Sequence, residues 1–256
     1  MTPDPARPSP ARVYDYLLGG HDHLDVDRAA AEAVLKVEPD ARESPRRNRD
    51  FLGRVVRHLA GLGVDQFLDI GSGLPTAENV HHVARSVNPG ARVVYADNDA
   101  TVLEQANALL SGDDRTAFVH ADVRDPAALL ADPALAMLDP GRPTAVLLVA
   151  VLHFVADADR PSDLVEALLA SVAPGSYLVI SHVTDESTTP ELRAAIHDTY
   201  ANAPAPLHLR PRAEIEALFG GRPLLAPGLV DVQDWRPAER LAPSRLRLLG
   251  AVAPVA

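Results

Sequence analysis

The residues in this sequence best suited to chemistry are three aspartates and a pair of glycines. Gln66 to Thr76 reads Gln-Phe-Leu-Asp-Ile-Gly-Ser-Gly-Leu-Pro-Thr, an apolar run holding Asp69 and followed by Gly71, Ser72 and Gly73. A strand ending in such a turn and feeding a helix brings bare backbone against a ligand at the helix N-terminus. Asp97 follows Gly73 by 24 positions, at the end of the next apolar run, and Asp122 ends the run after that. A carboxylate at the first of those ends can accept from both hydroxyls of a ribose. One at the second can accept from the exocyclic amine of adenine, with Val123 supplying backbone and Asn98 reaching the adenine side or the ribose edge. The bland role for Asp97 is a turn or helix cap; strand, glycine turn and acid occurring together favour the ribose. Asp69 is costly to bury without partners, and orienting the glycine turn, through water to a ligand's ammonium, would use it. Asp-x-Gly-x-Gly in this setting points to S-adenosylmethionine. A dinucleotide turn would read Gly-x-Gly-x-x-Gly, and Thr76 stands where its last glycine belongs.

Other candidates are weaker. His153 follows the longest apolar strand and would lie beside the transferred group, where histidine can act as a general base; packing against the cofactor is the favoured role. His21-Asp22-His23 carries metal-ligand types without a third partner, and neighbours such as His81 and His82 point apart on a helix, so no metal is expected. Ser72 lacks the Gly-x-Ser-x-Gly frame of a hydrolase. Tyr14, Tyr16 and the pair Gly19-Gly20 stand out near the N-terminus. They would either close over a ligand or form an amphipathic helix with a glycine C-cap.

These residues need strands that end side by side. Strands are expected at Gln66–Ile70, Arg92–Ala96, Thr116–Ala121, Thr144–Val151, Ser176–Val183, Leu224–Asp234 and Arg245–Val252. Helical spacing fills most of the gaps, including Thr76–Val87, Asp163–Val172 and Ala213–Phe219. The alternation predicts an α/β fold: a three-layer, Rossmann-like sandwich of the class I methyltransferase kind, with a mostly parallel seven-stranded sheet and a C-terminal antiparallel hairpin. Residues 1–10 read as a disordered leader, 11–63 as a helical N-terminal cap and 64–256 as the cofactor-binding domain. In the cap, Asp27 is expected to open a second helix and Asn48 to Leu59 a third, after punctuation at Pro39 and Pro45.

With 47% hydrophobic and 23% charged residues, the composition is that of a soluble protein. No apolar run approaches the roughly 20 residues of a membrane span, and no export signal is visible, so a cytoplasmic location is expected. A net charge of −11 argues against nucleic acid as a partner. The absence of cysteine removes disulfides, thiolate metal sites and a thiol nucleophile.

The segments Ala11–Gly20, Asn48–Leu52, Phe67–Thr76, Asn79–His81, Val93–Asp99 and Ala226–Val230 extend over nearly the whole chain. On them it resembles the actinobacterial S-adenosyl methyltransferase family once known only as a domain of unknown function. Leu74-Pro75-Thr76 after the glycines is specific to that family. The resemblance implies a class I fold with S-adenosylmethionine held at Gly71, Gly73, Asp97 and Asp122 and closed over by Tyr14–Gly20, and it supplies no acceptor. His21 and His23 depart from the Lys and Asn more usual there. The expectation is a methyltransferase acting on a small molecule. The alternatives are a catalytically silent S-adenosylmethionine-binding protein and a nicotinamide-dependent oxidoreductase, which would leave Asp122 without a role.

Overall fold

The computed structural model describes residues 7–75, 78–110, 112–200, 203, 205–239, 241–242 and 246–256. In chain order the elements are α1 (Pro10–Leu18), α2 (Asp25–Val37), α3 (Glu43–Gly61), β1 (Gln66–Ile70), α4 (Val80–Val87), β2 (Arg92–Asp97), α5 (Ala100–Leu110), β3 (Thr116–His120), α6 (Pro126–Leu130), β4 (Ala145–Val149), α7 (Pro161–Leu169), β5 (Tyr177–Val183), α8 (Pro190–Tyr200), α9 (Arg212–Ala217), β6 (Val230–Asp231) and β7 (Leu248–Pro254). The seven strands form one sheet in the order β3-β2-β1-β4-β5-β7-β6. The first five run parallel, β7 is antiparallel to β5, and β6 is antiparallel to β7. The direction of winding reverses between β1 and β4, the place where open sheets of this kind bind ligands.

Both faces of the sheet are apolar, as a sheet covered by helices requires. Phe67, Val93 and Leu147 pack on one face with α3, α4 and Trp235. Leu68, Val94 and Leu148 pack on the other with Leu129, Val165 and Leu168 of α6 and α7. Because residues alternate across a strand, Asp69 faces the α3 side of the sheet, in step with Phe67.

Several expected boundaries move. The third helix begins at Glu43 rather than Asn48, because Pro45 falls in the first turn, where an N–H has no intrahelical partner to lose. Its Phe51, Val55 and Leu59 share one core with Phe67 and Val252. α3 is therefore a layer of the sandwich; α1 packs against α2 and α3, and α2 packs on α8 through Val34, Leu35, Leu192 and Ile196. The helix after β1 begins at Val80; Thr76, its expected start, lies outside the described residues, as does Arg245, where the last strand was expected to open. Leu224–Asp234 contracts to the two residues of β6. Pro227 lacks a ladder donor and Gly228 adopts φ +89°, both of which break a strand.

Residues 1–6 of the expected leader lie outside the described residues, but its last part is built into the fold. The Ser9 N–H donates to Asp27 at 2.8 Å, and Pro10 opens α1. Asp27 is fully buried and also accepts from Arg12 Nε at 2.6 Å and the Leu24 N–H at 2.8 Å. That carboxylate thus ties the chain entering α1 to the start of α2. No helix among the described residues is long and apolar enough to cross a membrane.

Candidate functional site

One cavity lies beyond the carboxyl ends of the parallel strands, and most of the singled-out residues line it. Tyr14, Asp69, Gly71, Ser72, Gly73, Asp97, Asn98, Asp122, Val123 and His153 all border it. Gly19 does not. It caps α1 in the left-handed conformation at φ +86°, sending its N–H back to Tyr16 O.

The turn after β1 is stitched to the end of β2. The N–H groups of Gly71 and Ser72 both donate to Ala96 O, at 2.8 and 3.2 Å. Gly71 sits at φ +72°, and a β-carbon there would lie 2.5 Å from Val151 Cγ2 on the loop after β4. Only glycine meets both demands. Gly71→Ala is expected to cost about 2 kcal/mol, combining the backbone conformation and the overlap. Val151→Ala should recover the overlap share in a double-mutant cycle read by urea denaturation. Strictly additive losses would show that the two residues do not meet.

Asp97 is 8% exposed and folds onto this turn. Oδ2 accepts the Gly73 N–H at 2.8 Å and Oδ1 the Asp99 N–H at 2.9 Å. Burial raises its pKa above the usual carboxylate range against these two bonds. A carboxylate offers about four lone-pair positions, so each oxygen retains one for a hydroxyl. Asp69, 4% exposed, is pushed up to about 7 by burial and secondarily by Asp97, with Arg49 opposing. Asp122 behaves oppositely. Burial raises it, but Arg124 and Asn98 outweigh that and hold it at about 2. Arg124 Nε reaches both oxygens, at 2.9 and 3.1 Å, and Asn98 Nδ2 donates at 3.1 Å. The three acids thus differ: one fixed as an anion, one buried against the glycine turn and one poised near neutrality.

Sequence reasoning missed several residues here. Asp99 lines the cavity and accepts from the Ser9 hydroxyl, joining the N-terminal segment to the end of β2. Asn48 of α3 is a junction: Ser181 Oγ donates to its Oδ1 at 2.6 Å, and its Nδ2 donates to the Tyr14 hydroxyl at 3.1 Å. Tyr14 in turn donates to Pro45 O at 2.9 Å, so a buried chain of hydrogen bonds runs from β5 to α1. The Ser181 hydroxyl also accepts from Ala150 N–H, at 3.0 Å, holding a non-glycine residue at φ +59° just after β4. The only local signal was a polar Asn48 on an otherwise apolar helical face. His21 lies in the loop after α1, and His23 Nδ1 is 3.3 Å from Asp15 Oδ2. His81 bonds the Tyr95 hydroxyl at 2.8 Å, and its ring lies 4.0 Å from that of His82, closer than helical neighbours were expected to be. Among the described residues no cluster of three metal-ligating side chains occurs.

This sheet order, with a glycine turn and acids at the switch point, defines a class I methyltransferase. The family model described as S-adenosyl methyltransferase matches residues 2–256, and the chain belongs to that family. It is therefore an S-adenosylmethionine-dependent methyltransferase. Two solved structures are similar over nearly their whole lengths. One, a putative methyltransferase from Thermobifida fusca, is 42% identical with a TM-score of 0.91, covering 97% of this chain and 95% of that one. The other, a DUF574 family protein from Streptomyces avermitilis, is 40% identical with a TM-score of 0.92, covering 98% of each. Human N-acetylserotonin methyltransferase, solved with its cofactor, shares the fold at 16% identity and a TM-score of 0.52, covering 97% of this chain and 62% of that one. Among curated proteins none matches.

Proposed function

We propose that Gly71–Gly73, Asp69, Asp97 and Asp122 hold S-adenosylmethionine, and that the chain methylates a small-molecule acceptor bound under α1. The observation that carries this reading is the convergence of three strand-end acids and the glycine turn on one cavity. The residues suit the cofactor chemically: Asp97 keeps two acceptor positions for the ribose hydroxyls, and Asp69 can answer the ammonium. Asp122 is already saturated by Arg124, so Arg124 has to share it with the adenine amine. The cofactor supplies a methyl group on a sulfonium, which is electrophilic enough that positioning does most of the work. The protein's part is to fix the cradle through the Ala96 carbonyl and to keep water out beneath α1 and the start of α3.

Calorimetric titration tests this. S-adenosylmethionine and S-adenosylhomocysteine should bind at one site per chain and NADH should not. Asp122→Ala should weaken binding roughly tenfold, the loss of one charge-assisted hydrogen bond. An unchanged affinity would remove Asp122 from the adenine site.

A further inference from the structure

The cavity is longer than an adenosyl site requires. Its lining follows the ends of β3, β2, β1, β4 and β5. These are four interstrand gaps, about 19 Å at roughly 4.8 Å each. The acids and glycines occupy the β1–β3 half. Over β4 and β5 the walls are Phe154, Tyr200, Leu207 and Leu248, roofed by Tyr14 and Leu17 of α1. The Phe154 and Tyr200 rings lie 5.6 Å apart.

Among the described residues, the charges bordering this half are engaged elsewhere. Asp15 accepts the Asp22 N–H at 2.9 Å and faces His23. Arg49 donates to Glu78 O at 3.2 Å and offsets Asp69. His153, by contrast, lines the cavity, is 4% exposed and has no hydrogen-bond partner among the described residues on either ring nitrogen; its Nδ1 is sealed from solvent. Nε2 is then the atom a ligand can reach. The Tyr200 hydroxyl also lacks a partner among the described residues.

Behind His153 stands a buried cation. Arg210 donates to Leu152 O at 3.0 Å, Val155 O at 2.7 Å and Asp157 at 2.6 Å. It also donates to His182 Nε2 at 2.7 Å, while His182 Nδ1 donates to Val183 O. The His182 ring lies edge-on to His153 at 5.5 Å. Burial, then His182, Arg210 and His208, keep His153 uncharged at neutral pH.

Resting on the cofactor reading of the other half, we propose that this half binds an uncharged planar hydroxyaromatic acceptor, a phenol, whose hydroxyl donates to His153. Two aromatic walls favour a flat apolar ring, and the unpartnered His153 Nε2 that borders the cavity favours an O–H donor. An ammonium would meet no free carboxylate among the described residues here and would feel Arg210. A carboxylate or phosphate would meet a neutral imidazole with Arg210 spent on other groups. As the phenol oxygen bonds to the methyl carbon, the carbon–sulfur bond breaks with its electron pair left on sulfur. The hydroxyl proton passes to His153 Nε2 and leaves to bulk solvent when the methylated product departs.

The test uses the full chain loaded with S-adenosylhomocysteine and titrated with 2-naphthol, 2-naphthoate and 2-naphthylmethylammonium, read by naphthol fluorescence and by calorimetry. Naphthol should bind at least tenfold more tightly than either charged analogue. Leu207→Glu should abolish naphthol binding with homocysteine-product affinity held within threefold. His153→Leu should weaken naphthol about tenfold, and His153→Asn, which keeps a polar group, should recover part of it. Homocysteine-product binding with no naphthol binding, or with a charged analogue preferred, overturns this assignment alone. Failure of the homocysteine product itself to bind overturns the cofactor reading and this one together.

Discussion

Asp97→Ala is expected to raise the dissociation constant for S-adenosylmethionine about 100-fold, near 2.7 kcal/mol. The carboxylate would accept two ribose hydroxyls, each a charge-assisted bond worth about 1.5–3 kcal/mol. Part of that is offset because burial disfavours its charge. Truncation also frees the Gly73 and Asp99 N–H groups it now holds, loosening the turn. Asp97→Asn should fare little better, because an amide cannot accept from both N–H groups and still offer acceptors to both hydroxyls. Calorimetry on wild type and both variants decides the matter, with circular dichroism confirming the fold. Equal affinities in all three would remove Asp97 from the ribose site.

Asp69→Asn should act on stability and binding in opposite directions. The folded carboxyl titrates at about 7 against an ordinary value of 3.8. Its proton is therefore held more tightly in the folded state than in the unfolded one. Wild-type stability is highest below pH 4 in this respect and declines as pH rises toward 7, by about 4 kcal/mol in all. Asparagine has no charge to desolvate. The ligand-free variant should therefore gain up to about 4 kcal/mol over wild type at pH 8, the gain shrinking toward zero near pH 4. The same substitution removes the anion proposed to face the ligand's ammonium. Cofactor affinity should fall at least tenfold and lose the rise between pH 5.5 and 7.5 expected for wild type. Urea denaturation at pH 5 and 8 is the measurement; a difference independent of pH would mean that Asp69 does not titrate near neutrality.

Much of this was legible before the fold was seen, because the informative signals were local. Gly71 and Gly73 mark a turn by backbone freedom, and Asp97 and Asp122 mark strand ends by interrupting apolar runs. What escaped notice depends on residues far apart in the chain. The Ser181–Asn48 bond spans 133 positions, and Arg210 reaches the His153 loop across more than fifty. Ser9 lay in a proline-rich stretch with no internal signal of burial. Boundaries move for a different reason: a helix's first turn tolerates proline, so α3 starts ahead of Pro45, and Pro227 with Gly228 interrupts an otherwise apolar run.

The hydrogen-bonded chain through Asn48 places Tyr14 above strands that are encoded far downstream of it. On the proposed reading, donor-side residues come from the chain between Asp69 and Val123, whereas the roof over the other half comes from the first twenty positions. Evolution, or a protein engineer exchanging N-terminal segments between relatives, can thus retune which molecule is modified while the methyl source stays the same. Such chimeras would have to carry Asn48 along with Tyr14, or the grafted helix would lose its anchor.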